Sequence, residues 1–305
     1  MTLSLPFQLG IHPINWVGED VHEHGTDTTF EQIMADISAL GLKGTEMGRK
    51  YPKDVPTLQR ELAARDIQLV SQWKSVFFTE PSRRAQELEA YREHVLFLKA
   101  MGAKVISTCE IGGSLHWDPR RSAHETEVAR LNDQEWRHLA EGLNQAGAIA
   151  REHGLKLTYH HHGGTAVERP EEIDRLMELT DPNLVYLLYD TGHAYYGGSD
   201  PLSLLRKHYD RIAYVHLKDI RPHILEEARQ EGVDFVTCIR KGVFTVPGDG
   251  CIDFTQIIGE LVQRGYSGWA LLEGEQDPAV HPAYEYARKA LAYINSIATA
   301  KKEEV

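Results

Sequence analysis

Four places in this 305-residue chain carry the same punctuation. A helix-periodic segment ends in Gly, a short link follows, and an apolar run begins: "ALGLKGTEMG", "AMGAKVISTCE", "EHGLKLTYHHH" and "QRGYSGWALLE". Gly just past a helix takes the left-handed cap conformation at little cost. Each apolar run is too short for a helix and rich in Val, Ile, Leu and Tyr. The pattern predicts strands near Gln8–Pro13, Lys43–Glu46, Gln68–Trp73, Lys104–Thr108, Lys156–His160, Leu184–Tyr189, Ile212–Leu217 and Trp269–Glu273. Between them it predicts helices over Thr29–Leu40, Val55–Arg65, Arg83–Met101, Asp133–His153, Pro170–Leu179, Pro201–His208 and Phe254–Arg264, with a last one over Pro278–Thr299. Such alternation implies a parallel sheet with helices outside. Eight units imply a single closed (β/α)8 barrel over residues 1–305. An open doubly wound sheet is the alternative, weakened because no G-x-G-x-x-G follows the first strand.

The connection Ile220–Cys251, after the seventh strand, is long and holds "HILEEARQEG" and "FTVPGDG". Long loops in compact domains are commonly functional, and this one leaves the strand on the side where barrels keep their active sites. It is expected to be a lid or a pocket wall. The tail 300–305, "AKKEEV", reads as a fraying end.

Lys and Arg number 33 against 45 Asp and Glu, for a net charge of -12. Without a basic run the chain lacks the footprint of a nucleic-acid binder. The three cysteines form no CxxC pair, so neither a zinc ribbon nor a disulfide framework is indicated. No apolar stretch approaches the ~20 residues of a membrane span, and "MTLSLPFQLG" does not read as a signal peptide. A cytoplasmic location is expected.

The C-terminal ends of the predicted strands carry polar residues. Strand one leads to Asn15 and Trp16, strand two to Glu46, strand three to Trp73 and Lys74, and strand four to Cys109 and Glu110. Strand five gives His160 and His162, strand six Asp190 and then His193, strand seven His216 and Lys218, strand eight Glu273 and Glu275. Polar residues in apolar strands need a partner or a purpose, and a barrel brings these ends to one face. Strand alternation turns His160 and His162 toward that mouth and His161 away. Two imidazoles and two carboxylates with a divalent ion make a neutral site, and mixed N/O ligation suits Mn2+, Co2+, Fe2+ or Zn2+. Taken singly, His216 could be a hydrogen-bonded core histidine and Asp190 a turn cap. His22, His24, His94, His124, His138 and His153 are expected on loops or helix faces, in solvent. Trp16, Trp73, Tyr195 and Tyr196 are either packing residues or ring faces for a sugar.

"GIHPINW", "GTEMGRKYP", "DTGHAYYGG", "HLKDIR", "GVFTVPGDGCIDF" and "LLEGEQDP" together resemble the inosose (2-keto-myo-inositol) dehydratases of the xylose-isomerase-like barrels, over about Gly10 to Pro278. "HLKD" is common to that superfamily and weakly specific, whereas "FTVPGDG" and "EGEQDP" are much more specific to the dehydratase branch. The resemblance implies a metal set of Glu, Asp, His and Glu. The last three fall on Asp190, His216 and Glu273, and the first falls on His160, a departure for which His162 is the rival. It also implies Mn2+ or Co2+, with glutathione as a further requirement.

The implied reaction is β-elimination of water from scyllo-inosose, a cyclic polyol ketone, to a trihydroxycyclohexane-1,2-dione in myo-inositol catabolism. Base and acid need pKa values near neutrality. His162 and His193 start nearest that range, Lys218 could donate to the leaving hydroxyl, and Glu275 could be base or ligand-orienting carboxylate. Asn15, Trp16, Glu46, Trp73, Glu110 and Tyr195 are expected to line the substrate pocket. A sugar isomerase or epimerase using the same metal, and a non-catalytic polyol-binding barrel, are the alternatives. Barrels of this type often pair, so a homodimer or higher homo-oligomer is expected.

Overall fold

In the computed structural model, which describes residues 5–115, 117–118 and 127–300, helices and strands alternate throughout. His124 and the tail from residue 301 onward lie outside the described residues. The strands are β1 (Gln8–Ile11), β2 (Gly44–Glu46), β3 (Gln68–Ser71), β4 (Trp73–Val76), β5 (Val105–Glu110), β6 (Lys156–His160), β7 (Val185–Asp190), β8 (Ile212–Ile220), β9 (Phe244–Thr245) and β10 (Trp269–Glu273). The helices are α1 (Phe30–Ala39), α2 (Val55–Ala63), α3 (Arg84–Ala100), α4 (Asp133–Glu152), α5 (Pro170–Leu179), α6 (Thr191–Tyr196), α7 (Pro201–His208), α8 (Pro222–Glu231), α9 (Phe235–Arg240), α10 (Phe254–Gln263) and α11 (Ala283–Ala300).

The sheet order is β3-β2-β1-β10-β8-β7-β6-β5-β4. Its two ends are halves of one extended stretch, separated only at Gln72. Counted as one, they close eight parallel strands into the expected barrel. Near that break the Ser107 N–H donates to the Ser71 hydroxyl at 3.0 Å, where a strand carbonyl would otherwise stand. The short β9 pairs antiparallel with the end of β8, outside the ring.

The punctuating glycines explain the alternation. Gly41, Gly102, Gly154 and Gly265 all have φ between 71° and 81°, and a Cβ at any of them would meet nothing within 4 Å. The requirement is therefore conformational, not steric. After α2 the same left-handed role falls to Asp66, φ 53°. Helix starts are capped by short polar side chains: Asp54 accepts from Thr57 N–H, and Asn132 forms a capping box with Glu135. The last helix begins at Ala283, not Pro278, because the "DPAVHP" segment ends in Pro282, which favours an extended residue before it.

Alternation within the strands sorts side chains into two layers. Outward residues such as Ile106, Leu157, Leu187, Val215 and Leu272 pack against the helices. Inward, Val70, Val105, Leu188, Tyr214 and Leu271 fill the barrel floor, with Trp269 against them. One step further toward the C-terminal ends, the same inward rows become polar, and the site begins there.

Candidate active site

At this end lies a cavity of about 310 Å³. Its floor and one wall are His12, Glu46, His160, His162, His216 and Glu273, and Trp73 and Trp117 form an aromatic side. The two indoles pack at 4.7 Å, and Trp117 lies 4.7 Å from the His162 ring. Register carries the ligating types to one level, since Asp190 pairs with His216 and Leu271 with His216.

One ligand atom from each of His160, Asp190 and His216 lies within 4.8 Å of the others. His160 Nε2 is 3.5 Å and His216 Nδ1 is 3.6 Å from Asp190 Oδ2, and His216 Nδ1 is 2.6 Å from Glu273 Oε2. Each of these four atoms is buried and lacks a hydrogen-bond partner. Buried polar atoms without a partner are costly, so three that lie within 4.8 Å of one another, with Glu273 Oε2 beside His216, fit a divalent cation. The field agrees. Burial alone would push the His216 pKa down, yet Glu273, Asp190 and Glu46 outweigh it and hold His216 well above its ordinary value. A place that attracts a proton this strongly attracts a cation.

The structural and the functional readings of Asp190 and His216 both hold, on different atoms. Asp190 Oδ1 caps α6 by accepting the His193 N–H at 2.8 Å, while Oδ2 faces the cluster. His216 Nε2 meets Glu46 Oε1 at 2.9 Å, while Nδ1 faces the cluster. Glu46 also accepts from the Tyr214 hydroxyl at 2.6 Å. Burial would raise the Glu46 pKa, but the His12 and His216 imidazoles hold it below the usual carboxylate range.

A second group adjoins the first. His162, His193 and Glu275 bring ligand atoms within 4.8 Å of one another, and the His162 and His193 rings lie 3.7 Å apart. Lys218 Nζ is 2.7 Å from Glu273 Oε1, 3.1 Å from Glu275 Oε2 and 2.9 Å from His193 Nε2. Burial opposes the Lys218 charge, but Glu273, Glu275 and Asp190 outweigh it and raise its pKa. His193 is held well below its ordinary value by burial and by His162. His162 Nδ1 lies 2.9 Å from the Gly163 carbonyl, so it donates there and its lone pair is on Nε2. A Cβ on Gly192 would stand 2.6 Å from Lys218 Cγ, which explains the glycine in "DTGH".

His161 is fully buried and turned away from the cavity, with Nε2 accepting the Asp190 N–H at 3.4 Å. The strand-seven connection contributes behind the site: no residue of 220–251 lines the cavity, but Phe235 packs on His162 at 5.2 Å and Phe244 on His193 at 4.9 Å.

Four expected pocket residues do not line the cavity. β1 ends at Ile11, so Asn15 and Trp16 fall on the following turn; Asn15 Nδ2 donates to the His12 and Leu272 carbonyls, and the Trp16 indole to Asp36 at 2.7 Å. Glu110 follows the inward Cys109 and points outward, accepting from the N–H groups of Phe78, Thr79 and Gly112. Burial raises its pKa to about 7 against those donors. Tyr195 lies half-buried on α6. Two histidines expected in solvent are enclosed: His24 is buried, and burial pushes His94 down to about 4.

Sequence reading missed His12, Glu19, Asp20, Arg49, Lys53, Gln72 and Trp117, all of which line the cavity. His12 and Gln72 had a signal, as polar residues inside predicted strands. Burial and the Glu275 charge raise the Asp20 pKa well above the carboxylate range.

The family model of the xylose isomerase-like TIM barrels matches residues 34–297, and barrel and site together define that class. Among solved structures, L-ribulose 3-epimerase superposes with a TM-score of 0.70 at 15% identity, covering 98% of this chain and 96% of its own. The IOLI protein with a bound zinc atom superposes with a TM-score of 0.70 at 16% identity, covering 96% and 99%. At such identities the likeness concerns the fold. Inosose dehydratase of Geobacillus kaustophilus is 50% identical over 292 residues, covering 96% of this chain and 95% of the relative. That of Clostridium perfringens is 48% identical over 287 residues, covering 94% and 96%. The chain belongs to the inosose dehydratase family.

Proposed function

We propose that this chain is a hydro-lyase that removes water from 2-keto-myo-inositol (scyllo-inosose) to give a trihydroxycyclohexane-1,2-dione, in myo-inositol catabolism. Family membership supports the substrate. The observation that carries the chemistry is the convergence of three buried, hydrogen-bond-free donor atoms, with Glu273 Oε2 beside them, at a cavity that also holds an imidazole lone pair.

His160, Asp190, His216 and Glu273 would hold a divalent ion, Mn2+ or Co2+. When bound there it supplies Lewis acidity toward a carbonyl oxygen, which acidifies the neighbouring C–H. His162 accepts the α-hydrogen on Nε2. Trp73 and Trp117 offer their faces to the C–H side of the ring and exclude water. Lys218 fixes the Glu273 and Glu275 carboxylates, and His193 is held in place by the Gly163 N–H at 3.1 Å. The chain acts as one barrel domain with 220–251 as the outer wall of the site. A cytoplasmic homo-oligomer is part of the same proposal. Among the described residues no helix is long and apolar enough to cross a membrane.

The test is metal analysis of the purified protein, then incubation with scyllo-inosose, with and without glutathione. A product lighter by one water, lost on chelation and regained with Mn2+ or Co2+, is expected. A product of unchanged mass would instead mark an isomerase or epimerase.

A further inference from the structure

A cavity for a polyol needs hydroxyl-binding groups beyond a metal site and an aromatic wall. Most buried hydroxyls of this barrel are already paired. Thr45 meets the Tyr51 hydroxyl at 2.8 Å, Thr108 meets that of Tyr91 at 2.9 Å, and Thr158 donates to the Ile106 carbonyl at 2.7 Å. Among the described residues, two buried hydroxyls have no hydrogen-bond partner, those of Ser107 and Ser199. Of the two, Ser107 lines the cavity.

Ser107 lies in the middle of the inward row of β5. Val105 before it belongs to the barrel floor, and Cys109 after it packs with Trp73 and Trp117. It pairs with Trp73 on one side and Thr158 on the other, and is 1% exposed. Its N–H is bonded to Ser71 Oγ at 3.0 Å, so the backbone is tied there and the side chain is what remains uncommitted. A hydroxyl offers one donor and two acceptor sites. Leaving them unmade in a buried place is costly. A ligand hydroxyl removes that cost, because it both donates and accepts. Resting on the dehydratase reading above, we propose that Ser107 is a specificity-determining residue that hydrogen-bonds the substrate hydroxyl on the ring carbon opposite the ketone.

The order of the strands places that contact. With β3 and β4 counted as one, β5 is the fourth strand of the ring and β10 the eighth, so Ser107 stands across the barrel from Glu273. His160, Asp190, His216 and Glu273 come from the fifth to eighth strands, and Trp73 and Ser107 from the third and fourth. A six-membered ring laid against Trp73, with its carbonyl toward the four ligating side chains, turns its opposite carbon toward Ser107. That carbon takes no part in the loss of water. The α-carbon gives up its hydrogen, the β-carbon its hydroxyl, and the opposite carbon keeps its own hydroxyl in the product. The Ser107 bond is thus the same before and during the reaction, and it acts on binding and not on the chemical step. It also selects, because a ketone lacking that hydroxyl leaves Ser107 unpaired.

The test compares wild type and Ser107→Ala, both supplied with Mn2+, on scyllo-inosose and on its analogue with CH2 opposite the ketone. Ser107→Ala should raise KM for scyllo-inosose about tenfold, with kcat within about threefold of wild type. Wild type should prefer scyllo-inosose over the analogue by about tenfold or more in kcat/KM, and Ser107→Ala by less than about threefold. The thermal midpoint of the ligand-free variant should stay within about 3 °C of wild type or rise, since no internal bond is lost. A KM within about threefold of wild type, an undiminished preference, or a larger fall in the midpoint, which would make the hydroxyl structural, would overturn the assignment. A wild type that leaves scyllo-inosose unchanged would defeat the dehydratase reading itself, and the substrate contact with it.

Discussion

Glu46 Oε1 stands 2.9 Å from His216 Nε2, and that contact decides which imidazole nitrogen faces the cavity. With the Nε2 proton held by that carboxylate, Nδ1, beside Asp190 and Glu273, is the nitrogen a cation would take in place of its proton. Partners of this kind orient a ligating histidine and raise its basicity. Glu46→Gln should therefore weaken Mn2+ binding by ~10–100-fold without unfolding the protein. Calorimetric titration of the stripped protein checks this, and an unchanged affinity would remove Glu46 from the metal's support.

Most of the barrel was legible because its signals are local. Four glycines forced left-handed caps, and eight apolar runs did the rest. The metal-type cluster was legible because polar residues ended consecutive strands. Glu110 misled because strand parity at that end depends on one residue: Cys109 packs inward with Trp73 and Trp117, and Glu110 points out. Asn15 and Trp16 misled because β1 stops at Ile11 and a 3-10 turn takes over. Asp20, Arg49 and Lys53 left no periodic trace, since loop residues reach the cavity through tertiary packing alone.

Asp219, the last residue of "HLKD", receives four backbone N–H groups. Oδ1 accepts from Ile220 and Ile252, and Oδ2 from Gly248 and Gly250, all at 2.8–3.1 Å. It pins the 246–252 turn against β8. Asp219→Ala strips those donors of their acceptor and should cost about 2–4 kcal/mol. Urea unfolding measures it, and a loss under ~0.5 kcal/mol would mean water replaces the carboxylate readily.

His94 makes stability depend on pH. Its Nε2 meets the Gln72 carbonyl at 3.3 Å, and burial pushes its pKa down to about 4, opposed only in part by that carbonyl. The unfolded chain binds a proton near pH 6.5, where the folded chain does not. His94 thus contributes stability that is complete above 6.5 and is lost as pH falls toward 4, with a slope of at most ~1.4 kcal/mol per pH unit. His94→Gln should flatten the decline between those limits. Urea midpoints at pH 7 and 5 for both proteins decide it, and parallel declines would show that other groups set the slope.

The three consecutive histidines should separate cleanly. His160 has both ring nitrogens buried without hydrogen bonds and sits at the metal-type cluster, so His160→Ala should lose metal affinity and activity together. His162 lines the cavity with its lone pair on Nε2, so His162→Ala should keep the metal and turn over ~10²–10⁴-fold more slowly. His161 faces the helices, its pKa pushed down to about 3 by burial and by His160. His161→Ala should bind metal normally but leave the Asp190 N–H without its acceptor and a void behind β6. A stability loss of about 1–3 kcal/mol is expected from that exposure of an unmade bond. Metal titration, kinetics and thermal melts on the three variants make the comparison. If His161→Ala abolished metal binding while His160→Ala spared it, the inward and outward faces of β6 would be exchanged, and the site built on them would be wrong.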